Sequence, residues 1–502
     1  MKTSVFSCAV LSLYLAVASA SSFAEDANSW RQDGMSALAA SKAIKPHGNR
    51  AKNVILFLGD GMGVSTVTAA RIFEGQQQGR DGERNLLSFE KLPYLAMSKT
   101  YSANQQTADS APTMSAIMTG VKTNDGVLSV NQSVLKGEKD ALFVKNNSVE
   151  TLLEMAEKHG LATGVVTTTR ATHATPAATY AHTSHRDWEN NAQVPVDSKV
   201  VDIAAQAVDN YGQNGIGNGL EVLMGGGRAN FLPTTEQGKR TDGRNLIAEY
   251  QAKFGAGYVT DKQSLAAINP TKTKHLLGLF DNDHMQYDTD RISTHSNQPS
   301  LADMTSKAID VLATNPKGYF LMVEAGRIDH AHHAGNAYRA LTETVALSDA
   351  VKQTLSKINL DETLIIITAD HSHTMTLSGY AKRGNPILDK VTLPGHDKPA
   401  LALDKKPYTV INYVNGKGYF EELSAEASID KAIAPQTGRV ADMSKVNTNQ
   451  PDFHQEANIP LEQETHGGED VQIFADGSDA QLFHGVQEQS YIFYVMRDAL
   501  GL

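Results

Sequence analysis

The sequence has almost no cysteine, since Cys8 is the only one in 502 residues. A disulfide-stabilised scaffold is therefore excluded. Cys8 lies in a segment typical of a secretory signal, in which Lys2 precedes the short apolar run Val10–Val17 and Ala18-Ser19-Ala20 follows it. We expect residues 1–20 to be a signal peptide, cleaved there or as late as residue 24. Cys8 precedes the apolar run, which argues against a lipid anchor, and the mature chain would contain no thiol.

Long hydrophobic runs are also missing. The N-terminal apolar run is too short to span a bilayer, and no other run reaches that length. A formal net charge of -11 argues against a nucleic-acid partner, and weakly against an anionic membrane surface. The sequence predicts an exported globular protein, periplasmic or secreted, without membrane contact after signal cleavage.

Apolar segments that alternate with helical patterns predict the fold class. The strongest strand candidates are Asn53–Leu58, Ala162–Thr168, Tyr319–Val323 and Thr363–Thr368. Such alternation predicts an α/β protein: a three-layer α/β/α sandwich with a large, mostly parallel central sheet. We expect the catalytic core to span residues 51–378 and 464–502, preceded by an N-terminal arm at residues 25–50.

A change in composition marks residues 379–463, which are rich in Gly, Pro, Lys and Asp. We interpret this stretch as an insertion that emerges from the core. Within it, Tyr408–Tyr419 predicts a β-hairpin with its tight turn at Asn415-Gly416. A helix is also predicted to carry His182, His185 and Arg186.

Polar residues with metal-ligand chemistry follow the predicted strands. They are Asp60, His173, Glu324 and the pair Asp370-His371. In parallel sheets, ligands bind at the carboxyl ends of the strands, so these residues should share one edge. A helix after the third strand would place Asp329 and His333 at i and i+4, in reach of one zinc ion. Each residue alone could be a solvated turn residue, but their coincidence favours a metal site.

Ser110 is the candidate nucleophile. Pro112 fits the first turn of a helix that Gly120 ends, so Ser110 would lie at a helix N-terminus, which favours an anion. The alternative is that Ser110 is only an N-cap. Beside metal ions, its hydroxyl would be a credible nucleophile, and Arg186 could hold two phosphoryl oxygens. Glu324 and Thr175 would suit magnesium, but the residues alone do not pair the ligands.

Five motifs in the same order resemble those of the secreted alkaline phosphatases. They are Thr107–Gly120, Ala171–Arg186, Val323–Ala334, Thr368–His373 and Glu464–Gly468. The C-terminal segment Gln472–Leu500 is more similar to the animal and marine-bacterial branch than to the enteric one. The resemblance implies hydrolysis of phosphate monoesters by in-line attack of Ser110, through a phosphoseryl intermediate that zinc-activated water resolves, with Arg186 binding the phosphate.

The resemblance also implies two Zn²⁺ and one Mg²⁺ per subunit. One zinc would be held by Asp329, His333 and His466. The other would be held by Asp60, Asp370 and His371. Magnesium would be bound by Asp60, Thr175 and Glu324. A homodimer is expected, in which residues 379–463 would correspond to the crown region of the family.

Histidines distinguish this sequence from the enteric type. His173 and His330 stand where that type has Asp and Lys, and we expect both to lie near the phosphate and the magnesium ligands. His332 and His373 are neighbours of ligands without matching ligand positions. We interpret these two as residues that support the ligands or face solvent.

Three rival functions differ in the residues that they require. A sulfatase would require the pattern C/S-x-P-x-R, but Met114 stands where that arginine would be, and the mature chain has no cysteine to convert. A phosphodiesterase is an alternative, although Arg186 favours monoesters. A non-catalytic metal- or phosphate-binding protein would not need Ser110 beside the metals.

Overall fold

The computed structural model describes residues 27–48, 50–212, 215–419 and 442–502. The predicted signal peptide lies outside these residues. The chain divides into two units, residues 1–45 and 46–502. The first contains helix α1, Ala27–Ala43. No helix among the described residues is long and apolar enough to cross a membrane.

Fifteen strands are formed by the described residues. In chain order they are β1 Asn53–Gly59, β2 Tyr94–Lys99, β3 Ala162–Arg170, β4 Val222–Gly226, β5 Gly257–Val259, β6 Leu276–Leu279, β7 Tyr319–Ala325, β8 Thr363–Thr368, β9 Ser372–His373, β10 Met375–Leu377, β11 Ile411–Gly416, β12 Ala457–Pro460, β13 His466–Gly467, β14 Val471–Gly477 and β15 Val486–Glu488. Ten of them form one sheet in the order β15-β2-β14-β8-β1-β7-β3-β4-β6-β5. Within this sheet only β14 runs against its neighbours, so the predicted mostly parallel sheet is confirmed.

Helices cover both faces of the sheet. After α1 they are α2 Val64–Gln77, α3 Ser110–Thr119, α4 Ala141–Asn146, α5 Leu152–His159, α6 Ala174–Tyr180, α7 Ile203–Asp209, α8 Arg228–Phe231, α9 Leu246–Phe254, α10 Lys262–Ala267, α11 Asp288–Ser293, α12 Leu301–Leu312, α13 Arg327–His333, α14 Ala337–Leu355 and α15 Tyr491–Leu500. Short 3-10 helices lie at Ser88–Lys91, Thr234–Glu236, Met443–Lys445 and Ala480–Leu482.

Strand β1 shows why the molecule has three layers. Its side chains alternate between the two faces of the sheet, as strand geometry requires. Leu56 enters the core that contains α3, α5 and α6, whereas Phe57 enters the core that contains α2, α12 and α14. Both side chains are completely buried. The predicted α/β/α sandwich is therefore confirmed.

The predicted helix that would carry His182 and Arg186 is not formed. Helix α6 ends at Tyr180, because the following residues pair with an earlier loop. The backbone N–H groups of Leu128 and Thr183 each donate to the other's carbonyl, at 2.9 and 3.1 Å. The extended backbone this pairing requires is incompatible with a continuing helix.

The predicted hairpin at Asn415-Gly416 is also wrong. Both residues belong to the single strand β11, which stays extended up to its last residue, Gly416. It pairs antiparallel with β10 and parallel with β12, so distant segments satisfy its backbone groups. The backbone hydrogen-bonding groups of β11 are therefore paired without a hairpin.

Candidate active site

Three neighbouring strands deliver carboxylates to one edge of the sheet. In the parallel register, Leu58 at the end of β1 lies opposite Glu324 on β7 and Thr368 on β8. Asp60 and Asp370 follow two residues after Leu58 and Thr368, so three acidic side chains meet there. The turn after β1 requires Gly61, whose φ is +69° and where an added Cβ would lie 2.3 Å from His373 Nε2.

Ser110 is the first residue of α3, and its hydroxyl points into this group. Its Oγ lies 3.2 Å from Asp60 Oδ1 and 3.1 Å from His371 Nε2. The N-cap of α3 is Asp109, whose carboxylate accepts from the Ser110 N–H at 2.8 Å. Capping is therefore the role of Asp109, and the Ser110 hydroxyl is available for chemistry.

Asp329, His333 and His466 form a compact three-residue cluster. Asp329 Oδ1 lies 3.3 Å from Nε2 of each histidine, and the two Nε2 atoms are 3.0 Å apart. The Nδ1 atom of His333 donates to the Glu464 carbonyl, and that of His466 donates to the Ala108 carbonyl. With neutral rings, both Nε2 lone pairs face the carboxylate, so a proton or a metal ion must lie among the three groups.

His373 supports this cluster rather than completing it. Its Nδ1 donates to Glu464 Oε2 at 2.6 Å and its Nε2 donates to Asp329 Oδ1 at 2.9 Å. Burial lowers the pKa of His373, but the carboxylates of Glu464 and Asp329 outweigh it and raise the pKa to about 10. Although Nε2 lies within ligand distance of the cluster, a doubly protonated ring has no lone pair for a metal. The ring is buried, so the solvated interpretation is wrong.

A further group of side chains that could hold a metal consists of Asp60, Glu324 and Thr175. Burial raises the pKa of Asp60 well above its usual range, and so do the charges of Asp370, Asp329 and Glu324. Burial also raises the pKa of Glu324 to about 7. Thr175 Oγ1 lies 3.5 Å from Asp60 Oδ2, and the buried Glu324 Oε1 has no hydrogen-bond partner among the described residues. Crowded carboxylate oxygens, with hydroxyl groups beside them, are suited to a hard divalent cation.

Arg186 and the two unusual histidines line the side of the site next to Ser110. Arg186 is paired with Asp109, and its Nη2 lies 3.1 Å from His173 Nε2. Because a guanidinium only donates, His173 accepts there and its ring is neutral. Burial, and then the charges of Arg186 and Arg170, lower the pKa of His173 well below its usual range. The ring of His330 lies 5.5 Å from that of His173.

Two residues of the site had no clear signal in the sequence. Asp109 pairs with Arg186 and caps α3, but in the sequence it is only a neighbour of Ser110. His284 follows β6, and its ring centroid lies 4.3 Å from that of His330 and 5.4 Å from that of His173. A single histidine in a polar loop could have been found only from the position of its strand at the same sheet edge.

The site opens to solvent beside the nucleophile. A cavity of about 560 Å³ is lined by Gln105, Thr107, Ala108, Asp109, His333, Gln463, Glu464, Thr465 and His466. A buried serine hydroxyl, an arginine at its side and clusters of carboxylates and imidazoles around it define a class of protein. This is the constellation of a metal-dependent hydrolase that transfers a phosphoryl group to serine.

Comparison with known proteins identifies the family. The family model described as alkaline phosphatase matches residues 51–502. The tissue-nonspecific alkaline phosphatase of Gallus gallus is 41% identical over 491 residues, covering 94% of this chain and 89% of the relative. The alkaline phosphatase of Gadus morhua is 39% identical over 486 residues, covering 93% of this chain and 95% of the relative.

A solved structure supports the same assignment. The crystal structure of Thermus thermophilus alkaline phosphatase superposes with a TM-score of 0.66 at 25% identity, covering 92% of this chain and 94% of that one. The chain belongs to the alkaline phosphatase family. It is a metal-dependent enzyme that hydrolyses phosphate monoesters, so the function predicted from the motifs is confirmed.

Replacing Glu464 by Gln should weaken the hold on metal at the Asp329 cluster. The amide cannot balance the charge of His373, so the hydrogen bond from His373 to Asp329 is weakened. Loss of a residue that supports a metal ligand typically costs roughly 10- to 100-fold in metal affinity. We expect bound metal to be lost correspondingly faster to a chelator, measured by metal content over time.

Glu469→Gln is the matched control for this substitution. Glu469 lies on the same segment but accepts from Ser372 Oγ at 2.7 Å, and within the described residues no hydrogen bond or ion pair joins it to the cluster. Equal rates of metal loss in the two variants would contradict the supporting role of Glu464.

Proposed function

We propose that this enzyme hydrolyses phosphate monoesters through a phosphoseryl intermediate on Ser110. The observation that carries the proposal is the position of the Ser110 hydroxyl, at the start of α3 and between Asp60 and His371. A helix N-terminus offers free N–H groups and a positive dipole end to the phosphoryl group. The Ser110 hydroxyl, its two polar neighbours and the helix N-terminus that favours an anion thus lie at one place.

The first step breaks the ester bond. Ser110 Oγ, which lies between Asp60 and His371, attacks phosphorus in line with the ester oxygen, and its proton leaves to solvent water at the neighbouring opening. The Oγ–P bond forms, the bond from phosphorus to the ester oxygen breaks, and the alcohol leaves with a proton. The neighbouring cavity gives the alcohol a route to solvent.

The second step releases phosphate. Water enters by the same opening and attacks phosphorus opposite Ser110 Oγ, so the Oγ–P bond breaks and Ser110 regains its proton. Arg186 presents parallel N–H groups that hold two non-bridging oxygens in both steps. It binds phosphate in exchange for part of its pairing with Asp109.

We infer two zinc ions and one magnesium ion per subunit. Asp329, His333 and His466 would hold one zinc, and Asp60, Asp370 and His371 the other. Asp60, Thr175 and Glu324 would hold magnesium. The donor chemistry supports these metals, because facing Nε2 lone pairs suit zinc and the unpartnered Glu324 Oε1 suits magnesium. When bound, the ions would supply positive charge for the phosphoryl oxygens and lower the pKa of the attacking hydroxyl.

We further propose that His173 and His330 contribute to substrate binding. Both are half-buried; His173 contacts Arg186 directly, and the ring of His330 lies beside that of His173. His173 also offers a nitrogen near Asp60 and Glu324, which connects the phosphate site with the proposed magnesium site.

The enzyme is proposed to be an exported homodimer, periplasmic or secreted, with the predicted signal at residues 1–20. Apolar side chains exposed at one edge of the sheet support the dimer. Val486 on the edge strand β15 is 56% exposed, and Tyr494 on α15 is 44% exposed. An edge strand with exposed apolar residues is a common site of association.

Replacing Ser110 by Ala should reduce turnover of a chromogenic phosphate monoester by at least about 10³-fold, because the nucleophile is lost. Metal content and phosphate binding should remain close to those of the unmodified enzyme, since Ser110 is not among the proposed metal ligands. Steady-state kinetics, metal analysis and phosphate titration measure the three quantities. Substantial turnover by Ser110→Ala would refute the phosphoseryl route.

Monoester hydrolysis should be favoured at alkaline pH and depend on metal. Glu324 has a pKa of about 7 in the metal-free protein, so protons compete with a cation below that pH and cease to compete above it. Activity should therefore fall as pH decreases through about 7, disappear with a chelator and return with zinc and magnesium. A phosphodiester assayed alongside should be hydrolysed more slowly, and a preference for it would favour the rival phosphodiesterase.

Replacing Val486 by Asp should shift the enzyme from dimer to monomer, because a charge would be buried in the proposed interface. Light scattering during size-exclusion chromatography measures the mass. Val196→Asp is the matched control, since Val196 is fully exposed in a loop. A monomeric unmodified enzyme would contradict the homodimer directly.

A further inference from the structure

Three buried polar side chains from distant parts of the chain form a hydrogen-bonded row. The hydroxyl of Tyr413 lies 2.7 Å from His332 Nδ1, and His332 Nε2 lies 3.0 Å from Thr66 Oγ1. Tyr413 is 2% exposed, His332 0% and Thr66 1%. Tyr413 comes from the predicted insertion, His332 from α13 and Thr66 from α2. The row thus joins the insertion to two helices of the core.

The central histidine of this row lies against the proposed zinc site. His332 belongs to the same helix as Asp329 and His333. Its ring packs on that of His373, with centroids 4.7 Å apart and planes inclined by 31°. His373 in turn donates to Asp329. Rotation of the His332 ring would therefore disturb the group that orients Asp329.

The strand that carries Tyr413 is fixed to the segment that carries His373. Tyr413 lies opposite Met375 in the antiparallel pair of β10 and β11. The N–H of Val414 donates to the Thr374 carbonyl at 3.2 Å. Tyr413 thus contacts the site both through its backbone partners and through its hydroxyl.

The insertion also reaches the far end of α13. Gln455 donates its N–H to the Gly335 carbonyl at 3.0 Å, and its side-chain oxygen accepts from the Ala337 N–H at 2.8 Å. The helix that carries two proposed zinc ligands is therefore held by residues of the insertion at two places. Of these two contacts, the one from Tyr413 reaches the rings beside the ligands.

We propose that Tyr413 is a positioning residue, which acts through His332 on the proposed zinc site. The proposal rests on the proposed function for its metal ligands. The Tyr413 hydroxyl fixes the plane of the His332 ring, that ring supports His373, and His373 keeps Asp329 directed at the metal. The insertion would thereby determine how tightly the core retains its metal.

This contact persists in alkaline solution. Burial raises the pKa of Tyr413 well above its usual range, and the charge of Glu464 adds to this effect. The phenol therefore keeps its proton under alkaline conditions, where the enzyme is expected to work.

Tyr413→Phe tests the proposal, because it removes only the hydroxyl. The metal-loaded enzyme is diluted into EDTA, and retained metal is measured over time. We expect release about 3- to 10-fold faster, below the roughly 10- to 100-fold effect of losing a direct partner of a ligand. Tyr408→Phe is the matched control, since its half-buried ring lies in the same insertion and its hydroxyl makes no hydrogen bond within the described residues.

Thr66→Val removes the partner at the other end of His332 and keeps the side-chain shape. It should also accelerate metal release, and it provides the test of the proposal if Tyr413→Phe does not fold. The double variant should show less than the product of the two single effects, because both act through one ring. If Tyr413 and Thr66 acted independently of each other, the release rate of the double variant would increase by the product of the two single effects, which would contradict action through His332.

The melting temperature of the metal-free protein separates positioning from general destabilisation. A role in positioning predicts faster metal release with a nearly unchanged melting temperature. Unchanged release from both single variants, or a lower melting temperature without faster release, would overturn the proposal. An unmodified enzyme that holds no metal would instead refute the proposed function on which it rests.

Discussion

Four buried carboxylates held in one place are the constraint on which the rest of this structure depends. Asp60, Glu324, Asp329 and Asp370 are almost inaccessible to water and lie within one site. Burial, and after it the repulsion between neighbouring carboxylates, raises the pKa values of Asp60 and Glu324. The fold must hold these groups together, and cations or protons must neutralise them. Binding metal is therefore part of the stability of this site as well as of its chemistry.

The sheet meets this constraint by placing the site where many strands end. Parallel strands bring acidic residues to one edge, with registers fixed by completely buried segments such as Thr363–Thr368. Backbone carbonyls then select the tautomers of the imidazoles, as the contacts of His333 and His466 with Glu464 and Ala108 illustrate. Rigid backbone thus determines which nitrogen faces Asp329 and the proposed metal, as in many metal sites.

Structural features that depend on short segments of the chain could be predicted from the sequence. The α/β/α sandwich and the residues at the strand ends follow from local patterns of apolar residues and turns, and Asp60, Glu324 and Asp370 do converge. Pairings between distant segments were not predictable. Neither the bridge between Leu128 and Thr183 nor the pairing of β11 with β12 has a local signal, so a false helix and a false hairpin were predicted.

The roles of individual histidines in the site show the same limit. His332 and His373 each lie within two residues of a predicted ligand, yet one is neutral between two hydroxyls and the other is charged between two carboxylates. Protonation depends on which distant groups a ring meets in the folded chain. Similarly, His284 joins the site only because β6 ends at the same edge of the sheet. Motif spacing contains no information of this kind.

The reversed direction of β14 has a consequence for the order of events during synthesis. His466 precedes β14, and this strand enters the sheet beside the carboxyl end of β8, opposite to the direction of its neighbours. The last histidine of the site is therefore translated more than 130 residues after His333, its partner in the Asp329 cluster. Until that segment is in place, the Asp329 cluster lacks one of its two facing imidazoles. The proposed zinc site there is therefore complete only after the segment before β14 has joined the fold.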